Sequence, residues 1–424
     1  MEESQLSEEE KSSLKSQAEI PLLILGAAAF MVAMDARVLD PLLETIVSDF
    51  QVPSAKVALA VSAYTLPYGL CQLIYGPLGD RLGKARVMRG AFLCFAIGTA
   101  ACAFVPQKAL GLNWMLLLRF VTGVFAAAII PLSIATIGDQ VAPDKRQATL
   151  GQFMSALMMG TVLSGPLGGV FGEFFGWRNL FLVIGIASLV VYWMLWNASS
   201  KTLAPKSEGQ KAAAIGMGKG YSMVWSNPDA MRVYPAIFLE GLFLFGGLVY
   251  VATELQNKFG MKVLYAGLLV SLYGVGGLCY SLTAKRVLKR FTQSQMAILG
   301  GSLLCGGFIL LALMGICAMW GIAIPALLLM GFGFNSIHST LQTKATELSA
   351  QARGTAVSLF AFFFFLGQAL GVQGGSKLAQ LSGGKVIKSS YTEVFWVAGA
   401  GLLFMAIWVA LWLAKKHRQT STSP

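Results

Sequence analysis

The sequence predicts an all-α membrane protein, with twelve transmembrane helices in two pseudo-symmetric six-helix bundles. Three observations predict it. Of 424 residues, 56% are hydrophobic and only 12% charged, which is too apolar for a water-soluble domain. The apolar residues come in runs of roughly 20, the length at which a helix crosses a bilayer, and not in the alternating segments of a barrel. A long polar connection divides these runs six and six, and the halves share short sequences.

In chain order the runs place spans at 20–46, 57–79, 87–106, 113–138, 148–172, 179–197, 232–256, 264–284, 294–317, 320–343, 354–378 and 391–414. With no water in the bilayer core, each segment must satisfy its own backbone, so each run is a helix. Residues 1–19, MEESQLSEEEKSSLKSQAE, are polar and acid-rich. They lack the basic start and small-residue cleavage site of a secretory signal and read as a disordered cytoplasmic tail. Residues 20–197 then form the first bundle, 198–231 a cytoplasmic linker, 232–414 the second bundle and 415–424 a second cytoplasmic tail.

Most of the 32 Lys and Arg residues fall on the side that holds both termini, among them Lys285, Arg286, Lys289 and Arg290. Short basic loops stay in the cytoplasm, so both termini are expected there. The net charge of +12 is scattered over helix ends and forms no basic stripe with interleaved aromatics, so no nucleic-acid partner is expected. Cys71, Cys94, Cys102, Cys279, Cys305 and Cys317 all lie in apolar runs without a CxxC pair and read as small core residues. With two histidines and no GxSxG, HExxH or Walker sequence, enzyme chemistry and a metal or organic cofactor are not expected.

The repeat is visible in particular residues. GPLGG at 165–169 recurs as GVQGG at 371–375, and GPLGDRLGK at 76–84 corresponds to YSLTAKRVL at 280–288, with Leu78 matched by Leu282 and Arg81 by Lys285. Two similar bundles joined by a basic linker, with a site between them near the midplane, is an architecture for alternating access.

These residues resemble the major facilitator superfamily, and within it the twelve-span drug:proton antiporters, over residues 20–414. Gly76-Pro77-Leu78-Gly79-Asp80-Arg81-Leu82-Gly83-Lys84 is similar to the superfamily's loop motif between spans two and three, departing at Ala85, where a second basic residue is usual. Arg119-Phe120-Val121-Thr122-Gly123 resembles the fourth-span motif, with Thr122 in place of glutamine. Gly160 followed by Gly165-Pro166-Leu167-Gly168-Gly169 resembles the fifth-span motif of antiporters. The resemblance implies a latch at the inner surface in which Asp80 engages Arg81, Lys84, Arg86 and Arg146. Independently of the family, Gly76 and Gly79 suit a close helix approach, and Gly83 suits a tight turn.

Charge inside a span costs about 2.5–3.5 kcal/mol on insertion scales and marks function. In FMVAMDARVLDPLLETIV of the first span, Arg37, Asp40 and Glu44 share one helical face, which gives Arg37 its own charge partners. Asp35 points away and has no cation on its own face, which suits a carboxyl that takes up and releases a proton. Arg119 and Asp40 each lie roughly 10 Å outward of their helix midpoints and share a level. Asp35, Asp40, Arg119 and Glu240 of the seventh span are therefore the proton-coupling candidates.

Asn335, His338 and Gln342 form a polar stripe in the tenth span. Tyr64 and Tyr68, at i and i+4, offer aromatic faces, and the run Phe362–Phe365 covers a full turn, so that at least one ring faces the cavity. The stripe and the two tyrosines are the substrate-cavity candidates.

The reading is a proton-coupled exporter of small amphipathic or lipophilic compounds in a bacterial-type inner membrane. It acts as a monomer among lipids, with the proton as coupling ion and no other cofactor. The rivals are a proton symporter for a metabolite or organic anion, supported by Arg37 and Arg119, an exporter of lysolipids or glycolipids, and a receptor that moves no solute.

Overall fold

The computed structural model describes residues 21–141, 143–200, 217–349, 351–383 and 391–421. Some side chains in these helices, Asp80 and Lys285 among them, lie outside the description, as do the tail at 1–20 and residues 201–216 of the connection.

Among the described residues, twelve helical segments are long and apolar enough to cross a membrane. They are span 1 Leu22–Phe50, span 2 Ser54–Gly79, span 3 Lys84–Phe104, span 4 Leu110–Gln140, span 5 Thr149–Phe175 and span 6 Trp177–Ala198. The second set is span 7 Ala230–Phe259, span 8 Val263–Ala284, span 9 Gln293–Cys317, span 10 Trp320–Glu347, span 11 Arg353–Leu381 and span 12 Thr392–Lys415. A short helix, Met217–Trp225, precedes span 7 and rests its Trp225 on Tyr234 and Phe363.

Three spans are interrupted. In span 1 the helix Leu22–Arg37 gives way to a tight turn Asp40–Leu42 before Leu43–Phe50. Pro41 explains the stop, because its ring would collide with the carbonyl four residues back, that of Arg37. Span 4 breaks between Ala126 and Ile129 for the same reason, with Pro131 four residues after Ala127. Span 7 breaks between Leu248 and Val251, just after Gly246 and Gly247, which weaken the helix there.

Helix pairing shows the internal symmetry. In the first six spans, span 1 packs on span 5, span 2 on span 4 and span 3 on span 6. The second six repeat this pattern: span 7 on span 11, span 8 on span 10 and span 9 on span 12. The bundles meet where span 2 packs on span 11 and span 5 on span 8, two contacts that the same symmetry exchanges.

The two bundles are held together from the midplane to the face opposite the termini. Ser62 donates to the Ala369 carbonyl at 2.8 Å and receives Gln373 at 3.1 Å. Gln256 donates to the Pro41 carbonyl at 3.0 Å, and Lys262 pairs with Glu173 at 3.2 Å. Along spans 5 and 8 the contacts step from Gly172–Val263 through Gly165–Gly267 to Val162–Gly274. Further toward the terminal face, Gly151 borders open space and Leu282 is exposed. The interface is thus sealed opposite the termini and splayed beside them.

Candidate functional site

Two acid–base pairs occupy the middle of the molecule, one in each bundle. Asp35, fully buried on span 1, accepts a 2.7 Å hydrogen bond from Arg119 Nη1 at Oδ2, and its backbone carbonyl accepts from Nη2 at 3.1 Å. Arg119 is 1% exposed, and its guanidinium lies 4.2 Å from the centre of the Tyr64 ring. The Tyr64 hydroxyl reaches back to the Val32 carbonyl at 3.4 Å. Charge-assisted bonds, a cation–π face and a shared backbone acceptor therefore fix the guanidinium. Asp35 Oδ1 keeps no hydrogen bond of its own.

Arg119 and Asp40 were expected at one level, but the hydrogen-bonded partner of Arg119 is Asp35. The helix of span 1 stops at Arg37, and the turn that follows brings Asp40 back to 3.8 Å from Arg37. Asp35 faces into its own bundle, where span 4 delivers Arg119. The same break removes Glu44 from the Arg37 face: it belongs to the next short helix and hydrogen-bonds Asn257 of span 7. Tyr64 is also reassigned, from cavity wall to the packed surface beneath Arg119.

The second pair joins span 7 to span 10. Glu240 is 0% exposed, and its Oε2 lies 2.9 Å from His338 Nδ1. The His338 ring is enclosed by Phe334, Phe364 and Phe360, with centroids at 4.7, 4.9 and 5.2 Å. The polar stripe of span 10 consequently splits. Asn335 donates to the Gly331 carbonyl at 3.0 Å and abuts Gly277 of span 8, His338 turns to span 7, and Gln342 is exposed. The phenylalanine run splits likewise: Phe363 packs on Tyr234, Phe364 on His338, and Phe365 on Tyr68 of the other bundle.

Arg37 lies between the two pairs. Its guanidinium stands 3.8 Å from the Phe245 ring centre in span 7, so this cation reaches across the bundle interface. Arg37 Nη1 has no hydrogen-bond partner, and neither has the buried hydroxyl of Tyr273, which lies within electrostatic reach of both Arg37 and Glu240.

The glycines of span 5 serve two helices at once. A Cβ at Gly160 would strike the Phe30 carbonyl, and one at Gly168 would meet Pro41 at 2.7 Å, both in span 1. Gly165 faces the Gly267 carbonyl and Gly169 faces Leu264, both in span 8. Pro166 lies inside this helix without ending it.

At the terminal face the expected close approach falls at Gly79, against Leu132, and not at Gly76, which has nothing within 4 Å. Gly83 takes φ +91° and separates the helices of spans 2 and 3. The Asp80 side chain lies outside the described residues. Lys84 pairs with Asp139 at 2.7 Å, an acid that sequence reading had not singled out. Arg146 donates to the Gly138 carbonyl at 2.7 Å and so caps span 4, while Arg81 and Arg86 are exposed. Arg89, the last base of the charged turn between spans 2 and 3, is buried with its guanidinium 4.5 Å from the Trp196 ring; it falls two residues inside the apolar run at 87–106.

Comparison with known proteins agrees with this architecture. The model of the Major Facilitator Superfamily matches residues 25–372. The uncharacterised MFS-type transporter YceJ of Bacillus subtilis (strain 168) is 28% identical over 277 residues, 65% of this chain and 68% of its own length. A probable sugar efflux transporter of Mannheimia succiniciproducens is 24% identical over 365 residues, 85% of this chain and 87% of its own. Among solved structures, a D-xylose–proton symporter superposes with a TM-score of 0.73 at 15% identity, covering 92% of this chain and 96% of its own. A bacterial homologue of the human lysosomal transporter Spinster, in an inward-facing and unoccupied conformation, gives 0.66 at 16%, covering 93% and 95%. At these identities the structures show the fold alone. The family match spans most of a chain of twelve apolar helices in two bundles, and the chain belongs to the Major Facilitator Superfamily: it is a secondary transporter, not an enzyme, of a family that works without a cofactor.

Proposed function

We propose that the protein exports small amphipathic or lipophilic compounds in exchange for protons, as a monomer in a bacterial inner membrane with both termini in the cytoplasm. The observation that carries this reading is the buried Asp35–Arg119 pair. A carboxylate at that depth can be neutralised either by Arg119 or by a proton, so two states of the bundle differ by one proton. In the proposed orientation the splayed side of the interface faces the cytoplasm, and substrate enters there toward Tyr68, Phe245, Phe364 and Arg37, which pack at or beside the contact between the bundles. After the bundles rock, a periplasmic proton neutralises Asp35 and loosens Arg119, and substrate leaves outward. Proton release to the cytoplasm resets the pair. Asp80 acts at the inner surface as part of the latch that holds the outward-open state. The efflux name of the Mannheimia relative supports the direction.

The test uses the purified chain in liposomes that enclose a pH-sensitive dye, with an imposed proton gradient and a panel of lipophilic cations, neutral amphiphiles and organic anions. Antiport drives protons opposite to the compound, and Asp35→Asn abolishes the signal. A second reading, proton symport of an organic anion, draws on Arg37, whose Nη1 lacks a hydrogen bond. Movement of protons and an anion in the same direction would replace the first reading with the second.

A further inference from the structure

Each bundle carries a buried acid on its first helix paired with a base on its fourth, the acids 205 residues apart and the bases 219. Asp35 lies on the first helix of its bundle, just before that helix breaks, and pairs with Arg119 on the fourth. Glu240 lies on the first helix of the other bundle, eight residues before that helix ends at Leu248, and pairs with His338 on the fourth. Glu240 follows Asp35 at the same spacing, within one residue, at which Gly371–Gly375 follows Gly165–Gly169. We propose that Glu240 and His338 form a second proton-exchange centre, so that each transport cycle moves two protons, one through each bundle. The count of two rests on the proton-coupled reading of Asp35 above.

The chemistry of the two partners differs in a way that favours the second centre. Arginine does not give up its proton, so at the first pair only the carboxyl can titrate. A carboxyl–imidazole pair holding one proton is neutral overall whether the proton sits on oxygen or on nitrogen, and so carries it at depth without a net buried charge.

Access follows the same order. Glu240 is wholly enclosed and its Oε1 has no partner, whereas the His338 side chain is 21% exposed. A proton arriving at Nε2 on the exposed part of the ring displaces the Nδ1 proton onto Glu240 Oε2 across 2.9 Å, and release runs the same path backward.

The surroundings supply no competing counter-charge. Among the described residues, the charged group acting on Glu240 is His338. Span 8 brings the Tyr273 hydroxyl, which faces both Glu240 and, from span 1, Arg37. Span 11 brings Gln368, beside Gly241, with Phe360 and Phe364, and spans 9 and 12 bring no charged side chain to the pair. A protonated imidazole among these rings gains cation–π attraction. Phe364 touches Phe365 at 5.3 Å, and Phe365 packs at 4.6 Å on Tyr68 of span 2, so packed rings connect His338 to the span 2–span 11 contact.

The experiment needs no substrate in its first arm. The chain has two histidines, His338 and His417, so 15N-histidine labelling of the full-length protein in lipid nanodiscs, with His417→Gln as the assignment control, isolates the His338 ring. The expected result is a pH-dependent change of protonation at His338 that Glu240→Gln removes or moves by about one pH unit or more. Asp35→Asn leaves it in place. A His338 signal that ignores pH, or one that titrates alike with and without the Glu240 carboxyl, overturns the proposal. If Glu240→Gln does not insert, Glu240→Met, which also removes the carboxyl, carries the same comparison.

The second arm counts protons per molecule of tetraphenylphosphonium, used as the probe, in liposomes. The ratio falls from two to one in His338→Gln and in Glu240→Gln; a ratio unchanged in both overturns the two-proton count. Titration of His338 without any proton-driven probe movement, or with Asp35→Asn fully coupled, defeats the reading of Asp35 and leaves the second centre standing.

Discussion

Asp35 and Arg119 neutralise one another in a place where neither is tolerated alone. Substituting Arg119→Met leaves a buried carboxylate without its cation, a change that costs about 3–5 kcal/mol in comparable buried pairs. Asp35→Asn/Arg119→Met, which removes both charges, is expected to recover most of that loss, as read by the thermal midpoint of the detergent-solubilised protein. Asp35→Asn alone leaves Arg119 without its anion, so its loss of proton-coupled transport, expected to be at least tenfold, is read per inserted molecule; retained coupling would mean that Glu240 with His338, or Asp40, carries the coupling without it. Much of this pair was legible in the sequence, because Asp35 stands on a face that its own helix does not neutralise. The identity of its partner was not legible. It depends on the rotation of span 4 against span 1 and on a helix stop at Arg37, whereas a one-helix projection that runs through Pro41 places only Asp40 at the level of Arg119.

At the scale of helices, span 5 has two working faces. Gly160 and Gly168 seat it on span 1 within its bundle, while Gly165 and Gly169 let it touch span 8 across the interface. The Gly165 contact is backbone to backbone: its Cβ would lie 2.5 Å from the Gly267 carbonyl, and in return a Cβ at Gly267 would strike the Gly165 carbonyl. A methyl group there clashes only while the bundles are closed on the face opposite the termini. Gly165→Ala is therefore expected to shift the population severalfold toward the state open on that face. Spin-label distances between positions 173 and 262 in a cysteine-free background would report it; an unchanged distribution would show that the contact absorbs the methyl. Gly168→Ala, which presses on Pro41 within one bundle, is expected to destabilise the fold without that shift. The sequence showed these glycines as one motif, since adjacency along the chain is all a motif records. Their division between two partners follows from the turn of the helix and from which neighbour each face meets. The breaks in spans 1 and 4 were present in the sequence as Pro41 and Pro131, but the apolar runs continue through both and masked them.

For the whole molecule, the twelve spans and their six-and-six division were legible because a bilayer leaves the chain few alternatives to apolar helices of that length. The state of the molecule was not, because the same helices and the same internal pairs serve every stage of alternating access. It is read from where the bundles touch. Lys262–Glu173, Gln256–Pro41 and Ser62–Ala369 join them between the midplane and the face opposite the termini, while spans 5 and 8 part toward the terminal face. If transport requires that sealed face to open, holding it shut must stop the cycle. Glu173→Cys/Lys262→Cys in a cysteine-free background, joined by a short cleavable thiol crosslinker, is expected to lose all proton-driven exchange in liposomes and to regain it on cleavage. Either single cysteine treated with the same reagent is expected to keep most of its activity, because this ion pair is partly exposed and contributes little by itself. Full exchange by the crosslinked protein would mean that the bundles do not separate at this face, and rocking of one bundle against the other would then be the wrong description of its motion.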